Sequence, residues 1–346
     1  MTITRIWQAS AELDNILLEF SSRSATSAQT STAEAKSGAR SFLMNASNVT
    51  ASKVLSSSLT QARLGFFINH LGVSPSDNPA VFTLYNTSTQ CIQLRFDGTT
   101  LTLLAGATTL GSVLSSEFAN TDTWIHVGLD VKIDGSVGWA YLYIDGVPVI
   151  EFDGDTNDGS ASFNTVMIGS PISLQTWNTP FYYDDLYVDN LSGESAPAPV
   201  PDYRFLLVTP NGNGYISDWV GSDGNSTDNY LLVDELPPDD DTSYVESAVS
   251  GESDSYTMSD PTIPEGWETS AVIPLAVVKK LNAGGALNLK LLTRTTVSGS
   301  PYSASSAAIT LATSYALAWE RRPLAPDGDG WDEDRLNALE IGVRPD

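Results

Sequence analysis

Residues 121–149 constrain the fold of this chain more than any other stretch. Apolar residues occupy every second position from Ile125 to Val131, which is the pattern of a strand with one buried face. The alternation returns over 139–144 after the turn Asp134-Gly135. A second Asp-Gly turn follows at 145 and 146. The stretch therefore predicts two adjacent antiparallel strands that lead into a further tight turn.

Short apolar segments bounded by turn residues recur along the first 190 residues. Segments 16–20, 61–68, 91–96 and 181–189 are examples, and each is predicted to be a strand. About ten such strands can be distinguished, a number and spacing typical of a two-sheet sandwich. We therefore predict an all-β fold whose first domain is a two-sheet β-sandwich.

A proline-rich segment divides the chain. Residues 192–202 carry three prolines at alternate positions, which favour a stiff, extended spacer. We predict a first domain over 1–191, this linker, and a second domain over 203–346. The second domain also contains strand-like segments, together with a short capped helix near 331–339. It is expected to be a smaller, acidic β-sandwich.

The chain is strongly acidic. It has 42 acidic and 17 basic residues, a formal net charge of −25, and no lysine or arginine over 205–278. Such a field repels phosphate groups and anionic lipids, which excludes nucleic acid and membrane surfaces as expected partners. Two interpretations stay open, namely solubility in a salty medium and an acidic face that meets a basic partner or cations.

Targeting and redox signals are sparse. The N-terminal residues lack the basic and apolar regions of a secretory signal, so synthesis in the cytoplasm is expected, with release by another route, such as lysis, if the protein works outside a cell. No apolar run reaches membrane-spanning length. The single cysteine, Cys91, excludes disulfides within the chain and is predicted to be a buried, unreactive thiol.

Alternating carboxylates provide one candidate catalytic site. Glu151, Asp153 and Asp155 follow period-two spacing, which brings neighbouring carboxyls to the separation that a retaining glycosidase needs. The pattern resembles the Glu-x-Asp-x-Glu motif of jelly-roll glucanases, but its third position is an aspartate, shorter by one methylene. Hydrolysis by Glu151 and Asp153 is a remote alternative to a solvated strand end.

The same region is a weak candidate for Ca²⁺ binding. Clustered oxygen ligands suit this cation, and four side chains provide them: Asp153, Asp155, Asn157 and Asp158. The order departs from an EF-hand, which has glycine at its sixth position and glutamate at its twelfth. An Asx-rich turn is the alternative interpretation, and no other cofactor is predicted.

Histidines and aromatic residues supply the remaining candidates. The two histidines, His70 and His126, lie in predicted strands and are expected to have structural roles. Trp177 and Tyr182 lie in a predicted loop and at a strand start, where exposed rings would stack on sugar faces. Core packing is the alternative explanation for both.

Two resemblances bear on function. The strand from Trp124 and the hairpin that follows it resemble a laminin-G-like, concanavalin-A-like jelly roll. Four segments resemble a family of phage virion proteins, in which such a domain precedes a smaller β domain: YDDLYVDN (183–190), LLVTPNGNG (206–214), YLLVDELPPDDDTSYV (230–245) and GWDEDRLNALEIGV (330–343). The second resemblance implies a non-enzymatic virion component, either a capsid decoration or cement protein or a part of a tail or fibre.

Three functions follow from these observations. A virion protein would act by binding other virion subunits, and we expect it to form a homo-oligomer, a trimer or larger. A lectin-like module, in a receptor-binding protein or an adhesin, would instead bind a host surface glycan. A glycoside hydrolase is the third and most remote alternative.

Overall fold

The computed structural model describes residues 3–46, 48–73, 78–171, 180–194 and 197–346. The chain divides into two compact units, Met1–Phe205 and Leu206–Asp346. Both consist almost entirely of antiparallel strands, which confirms the predicted all-β fold. In the described part of the chain, no helix is long and apolar enough to cross a bilayer.

The first unit is a sandwich of an eight-stranded and a seven-stranded sheet. Its described elements are β1 (Thr4–Ala9), α1 (Ile16–Glu19), β2 (Ser22–Arg23), β3 (Ala28–Ser31), β4 (Ser41–Met44), β5 (Thr50–Leu59), β6 (Gln61–His70), β7 (Ala80–Asn86), β8 (Thr89–Phe96), β9 (Thr100–Ala105), β10 (Thr108–Leu114), β11 (Ile125–Lys132), β12 (Gly138–Ile144), β13 (Val147–Gly154), β14 (Phe163–Gly169) and β15 (Phe181–Asn190). The larger sheet has the order β13-β12-β11-β6-β15-β4-β3, with β1 also paired to β15. The smaller sheet has the order β10-β9-β8-β7-β14-β5-β2.

Strand β6 shows that both faces of the eight-stranded sheet are covered at its centre. The strand lies between β11 and β15, and all ten of its residues are buried. Phe66 and Ile68 point into the core between the two sheets. Because side chains alternate along a strand, Arg63 and Phe67 face the opposite side. Their burial requires a cover on the outer face of the sheet.

Residues 197–205, here called the strap, provide this cover. The backbone N–H of Ala198 donates to Asp130 Oδ2 at 2.9 Å, and its carbonyl accepts from Arg63 Nη2 at 3.2 Å. Asp130 and Arg63 form a buried bidentate ion pair with two hydrogen bonds of 2.8 Å. The backbone of the strap therefore gives further hydrogen bonds to two charged groups that are shielded from water.

Apolar packing holds the middle of the strap. Val200 is only 3% exposed and packs with Tyr143 and Tyr187. The hydroxyl of Tyr187 donates to the carbonyl of Pro201 at 2.5 Å. Val200 lies over Gly128, where an added Cβ would come within 2.5 Å of the valine Cβ. The glycine thus provides the space that the valine occupies.

Asp185, one of two adjacent buried aspartates, holds the end of the strap. Strand β15 bulges after Asp184, and Asp185 adopts a φ of 51°. One carboxyl oxygen of Asp185 accepts from Ser37 Oγ at 2.7 Å and from the backbone N–H of Phe205 at 2.9 Å. Burial raises the pKa of both carboxyls, and the charge of Asp185 raises that of Asp184 further.

The position of the strap differs from the predicted linker. The described part of 192–202 packs on the sheet, and the chain divides after Phe205 instead. Alternate prolines favour an extended backbone, but an extended segment lies on a sheet as readily as it spans solvent. Composition therefore indicated the conformation of this segment and not its location.

Residues 16–20 form a helical turn, α1, so the predicted strand there is wrong. Asn15 caps the turn because its side-chain oxygen accepts from the backbone N–H of Leu17 at 3.1 Å. Glu19 is 4% exposed, and its Oε1 accepts from Ser10 N at 2.8 Å. Its Oε2 is buried without a hydrogen-bond partner. Burial raises the pKa of Glu19 to about 7.

The second unit is a smaller β-sandwich with one short α-helix. Its elements are β16 (Pro210–Ser217), β17 (Val220–Gly221), a 3₁₀ turn (Asn229–Leu232), β18 (Val245–Glu246), β19 (Asp254–Met258), β20 (Leu275–Val278), β21 (Asn288–Val297), β22 (Ser300–Ser305), β23 (Ile309–Thr310), β24 (Ala316–Trp319), α2 (Glu333–Asn337) and β25 (Glu340–Pro345). The main sheet has the order β16-β19-β25-β21-β22, with β23 paired to β21. Two-stranded ribbons are formed by β17 with β18 and by β20 with β24.

One face of this main sheet is buried and the other is open. Leu291 and Val343 pack against the β20–β24 ribbon, and Tyr256 packs with Trp331 and with Leu336 of α2. The residues that alternate with them along β19, β21 and β25 point to the opposite face. That open face contains the pocket described below.

We predict that Gly128→Ala and Val200→Ala are coupled. Each alone costs about 2 kcal/mol of folding free energy, the first by overpacking and the second by leaving a cavity. In the double variant the smaller residue 200 makes room for the new methyl group, so the combined cost falls below the sum by at least about 1 kcal/mol. Urea denaturation and hydrogen exchange of the β6 amides measure this. Val147→Ala, at a 61% exposed site, is the control, and its cost should add to that of Gly128→Ala. If the costs of Gly128→Ala and Val200→Ala also add strictly, the contact between these two residues is contradicted.

We predict that Glu19 makes the stability of the first unit depend on pH. Its folded-state pKa of about 7 exceeds the ordinary value of 4.5. The folded protein therefore binds this proton more tightly than the unfolded chain does. The resulting stabilisation is fully present below pH 4.5 and is lost as the pH rises through 7. Glu19→Gln should remove a pH-dependent change of about 3 kcal/mol. Thermal melts between pH 5 and 8 test this, with the exposed Glu151→Gln as a control that keeps the wild-type slope.

Candidate functional site

The candidate catalytic carboxylates lie at an exposed edge. Glu151 and Asp153 are exposed on β13, an edge strand of the eight-stranded sheet. Glu151 is paired with Tyr141 across the ladder, and the hydroxyl of Tyr141 donates to Asp153 Oδ2 at 2.9 Å. The strand ends at Gly154, so Asp155 lies in the turn that follows. The three carboxylates therefore do not form a continuous row on one strand.

The carboxylates of three of the four calcium candidates bind different protein groups. Asp153 accepts from a tyrosine hydroxyl, and Asp155 Oδ1 accepts from Asn157 N at 2.9 Å in a local Asx turn. Asp158 Oδ2 accepts from the backbone N–H of Ala107 at 2.8 Å. Among the residues that the structure describes, no three acidic, histidine or cysteine side chains are grouped in a way that would hold a metal ion.

Both histidines are buried structural residues. The Nδ1 of His70 accepts from Gly72 N at 3.1 Å, so its Nε2 donates to the carbonyl of Phe118 at 2.7 Å. The ring of His126 packs on Phe67, with a centroid separation of 5.0 Å. Desolvation lowers the pKa of each imidazole, which keeps both neutral near pH 7.

Of the two aromatic candidates for sugar stacking, the structure describes Tyr182. Tyr182 is only 7% exposed, although it lies on an interior strand of its sheet and not at the core between the sheets. It therefore presents no open ring face to a sugar. Trp177 lies outside the described residues. Cys91 is 1% exposed, and burial raises the pKa of its thiol, in agreement with the predicted unreactive state.

The open face of the second unit contains a pocket that sequence reasoning missed. Its volume is about 200 Å³, and strands β16, β19, β21, β22 and β25 all contribute to its lining. Tyr215, Arg294, Glu340 and Arg344 are its aromatic and charged residues. They come from three strands that are distant in sequence, so no local motif joins them. The only local signal is the glycine-rich segment 211–214 before Tyr215, which lies within β16.

Tyr215 reaches the pocket because β16 bulges. The pairing of β16 with β19 shifts between Asn213 and Ser217, so the intervening residues leave the regular ladder. Gly214 permits this path, since a Cβ there would lie 2.6 Å from Glu340 Oε2. The ring of Tyr215 remains 55% exposed.

Glu340 and Arg294 fix the position of this ring. Glu340 Oε2 accepts from the backbone N–H of Tyr215 at 2.8 Å, and Glu340 Oε1 forms an ion pair with Arg294 Nη1. The Arg294 guanidinium lies 4.7 Å from the Tyr215 ring centroid. Backbone, carboxylate, guanidinium and ring thus form a closed set of contacts, which orients the ring in the absence of ligand.

Small and hydroxyl-bearing residues form the rest of the pocket. Gly342 leaves the centre of the sheet without a side chain, between Leu292 on β21 and Ser255 on β19. Ser303 and Ser305 on β22 lie across from β21 on the same face. The pocket therefore combines an apolar contact with several hydroxyl groups.

Comparisons with known proteins concern the fold alone. No protein-family model and no curated protein matches the sequence. Among solved structures, the cellulose-induced protein Cip1 is similar at 10% identity, over 46% of this chain and 84% of its own, with a TM-score of 0.37. Domain 4 of AbnA, a GH43 arabinanase from Geobacillus stearothermophilus, shows 12% identity over 55% and 94%, with a TM-score of 0.38. The carbohydrate-binding module CBM66 from Bacillus subtilis shows 10% over 48% and 94%, with a TM-score of 0.31.

Similarity at this level carries no argument about ligand or activity. The named structures are β-sandwich modules, and none of the comparisons indicates a phage protein. The virion assignment therefore stays a prediction from sequence resemblance.

We predict a measurable coupling between Arg294 and Glu340. Their side chains are 20% and 12% exposed, so their ion pair is partly shielded from solvent. A double-mutant cycle with Arg294→Gln and Glu340→Gln should give about 1 kcal/mol of coupling in urea denaturation. The matched control is the pair Lys279 and Asp241, whose aspartate is 72% exposed and whose coupling should be near zero. Equal coupling in the two cycles would contradict the preorganised site.

Proposed function

We propose that this protein binds glycans, without cleaving them, at the pocket of the second unit. The observation that carries the proposal is the exposed Tyr215 ring, which Arg294 and Glu340 hold in place beside a polar pocket. A sugar has apolar C–H faces edged by hydroxyls. An aromatic ring next to fixed hydrogen-bonding groups complements both features.

The size and composition of the pocket support a small polar ligand. Its volume of about 200 Å³ is below the range of drug-sized sites and suits one enclosed sugar ring, from which a longer glycan would extend along the open sheet face. Ser303 and Ser305 are exposed and offer hydroxyls that both donate and accept. Arginines add charge-assisted donors to this set. The combination favours ring stacking with hydrogen bonds to sugar hydroxyls.

The arrangement of carboxylates supports binding over hydrolysis. Glycoside hydrolysis ordinarily uses two carboxyl groups on opposite sides of the scissile bond. Glu340 is the one carboxylate among the residues lining this pocket, and it is already engaged with Arg294 and with the backbone of Tyr215. Glu151 and Asp153 lie apart from any such arrangement, on an exposed strand edge of the first unit.

The predicted oligomer would strengthen such a site. Binding of one sugar is typically weak, and several copies of the chain in one assembly raise the overall affinity through multivalency. A trimer or larger assembly would therefore be useful to a receptor-binding virion part or an adhesin. Light scattering behind size-exclusion chromatography measures the state, and a monomer at all concentrations would remove this contribution.

The direct test is a glycan array followed by calorimetry on the best ligand. We expect Tyr215→Ala to weaken binding at least about tenfold, because it removes about 1.4 kcal/mol of ring contact. The control is Tyr302→Ala on β22. Tyr302 is 40% exposed and alternates with Ser303, so its ring points away from the pocket face. The proposal fails if no glycan binds, or if Tyr215→Ala binds as tightly as wild type.

A further inference from the structure

Two cations face each other beside the pocket, and only one has a counter-ion. Lys290 on β21 is directly opposite Arg344 on β25. Like charges in this position repel each other. The carboxylate of Asp346 forms an ion pair with Lys290. It does not do so with Arg344, so the charge of the guanidinium is left uncompensated.

Arg344 is unusual among the basic residues of its unit. Every residue of 206–346 is described, and the other lysines and arginines there each form an ion pair or donate to a backbone carbonyl. The side chain of Arg344 does neither, although it is half-buried and lines the pocket. The chain has 42 acids and 17 bases, yet this half-buried pocket arginine has no carboxylate partner. Its guanidinium is therefore available to bind an anionic ligand.

We infer that the pocket selects sugars bearing an anionic group, a carboxylate or a sulfate ester, and that Arg344 is the residue that recognises it. The inference rests on the proposed glycan-binding function. A guanidinium presents its N–H donors as a planar fork, which matches two oxygens of such a group. A bound anion would also relieve the repulsion between Arg344 and Lys290.

The distance along β25 sets the size of the ligand. Glu340 and Arg344 are four residues apart on the same face, which is roughly 13 Å along a strand. Gly342 lies between them and leaves the path free of side chains. This span exceeds one sugar ring. The ring on Tyr215 and the charged ring at Arg344 therefore belong to neighbouring residues of an oligosaccharide.

The net charge of −25 does not prevent this selection. At physiological salt the screening length is about 8 Å, so the acidic surface acts weakly beyond that distance while a direct contact to Arg344 is retained. Overall repulsion slows the approach of an anionic glycan, whereas the contact slows its release. The preference should therefore appear mainly in the dissociation rate.

The test uses an array on which each neutral glycan is printed beside its uronic-acid and sulfated counterparts, with the full chain at 150 mM salt. The best set is then measured by calorimetry. Wild type should bind an anionic member at least about tenfold more tightly than the neutral one. Arg344→Gln should abolish that preference because it weakens the anionic ligand more than the neutral one, and Arg344→Lys should restore part of it. Arg321→Gln, outside the pocket, should behave as wild type.

Each other result overturns the inference in a distinct way. Equal wild-type binding of neutral and anionic members, or a preference that survives Arg344→Gln in a variant with the wild-type melting temperature, refutes it while glycan binding stands. Equal weakening by Arg321→Gln reveals non-specific attraction and also refutes it. Absence of binding to every glycan refutes both proposals. The uronic and sulfated arms identify which anionic group the arginine accepts.

Discussion

The first unit depends on the buried ion pair between Arg63 and Asp130. These residues lie on the outer face of the central strands β6 and β11, and the strap shields them from water through Ala198. The pair explains why a segment outside both sheets is an integral part of the sandwich. Removal of one partner would leave an uncompensated buried charge, which typically costs 3–5 kcal/mol. Val200 and the Asp185 contact then fix the rest of the strap along the same face.

The two units treat the faces of their main sheets differently. In the first unit the core covers the inner face and the strap covers the centre of the outer face, where the strap backbone binds Arg63, Asp130 and Asp185. In the second unit one face packs on the β20–β24 ribbon and α2, and the other stays open. Polar groups in the second unit therefore remain available to a ligand. This difference places the candidate site on the smaller unit, although the recognisable jelly-roll pattern lies in the larger.

Sequence reasoning succeeded where structure is set by near neighbours. The alternation over 125–131 and the turn at Asp134-Gly135 predicted the β11–β12 hairpin, and the hydrophobic setting of Cys91 predicted its burial. It failed at 16–20, where the cap of Asn15 stabilises a helical turn in an apolar segment. It also missed the pocket, because Tyr215 depends on a bulge whose contacts come from Glu340 and Arg294 on other strands.

The sequence by itself determined the all-β class, the turns, the absence of disulfides within the chain and the acidic character of both halves. Each of these follows from composition or from periodicity over a few residues. Tertiary structure alone decided that the proline-rich segment covers a sheet, that Tyr182 is enclosed, and that Lys290 and Arg344 face each other with one counter-ion. The physical reason is strand register. A period-two pattern states which residues share a face, but pairing between distant strands decides which of those residues meet.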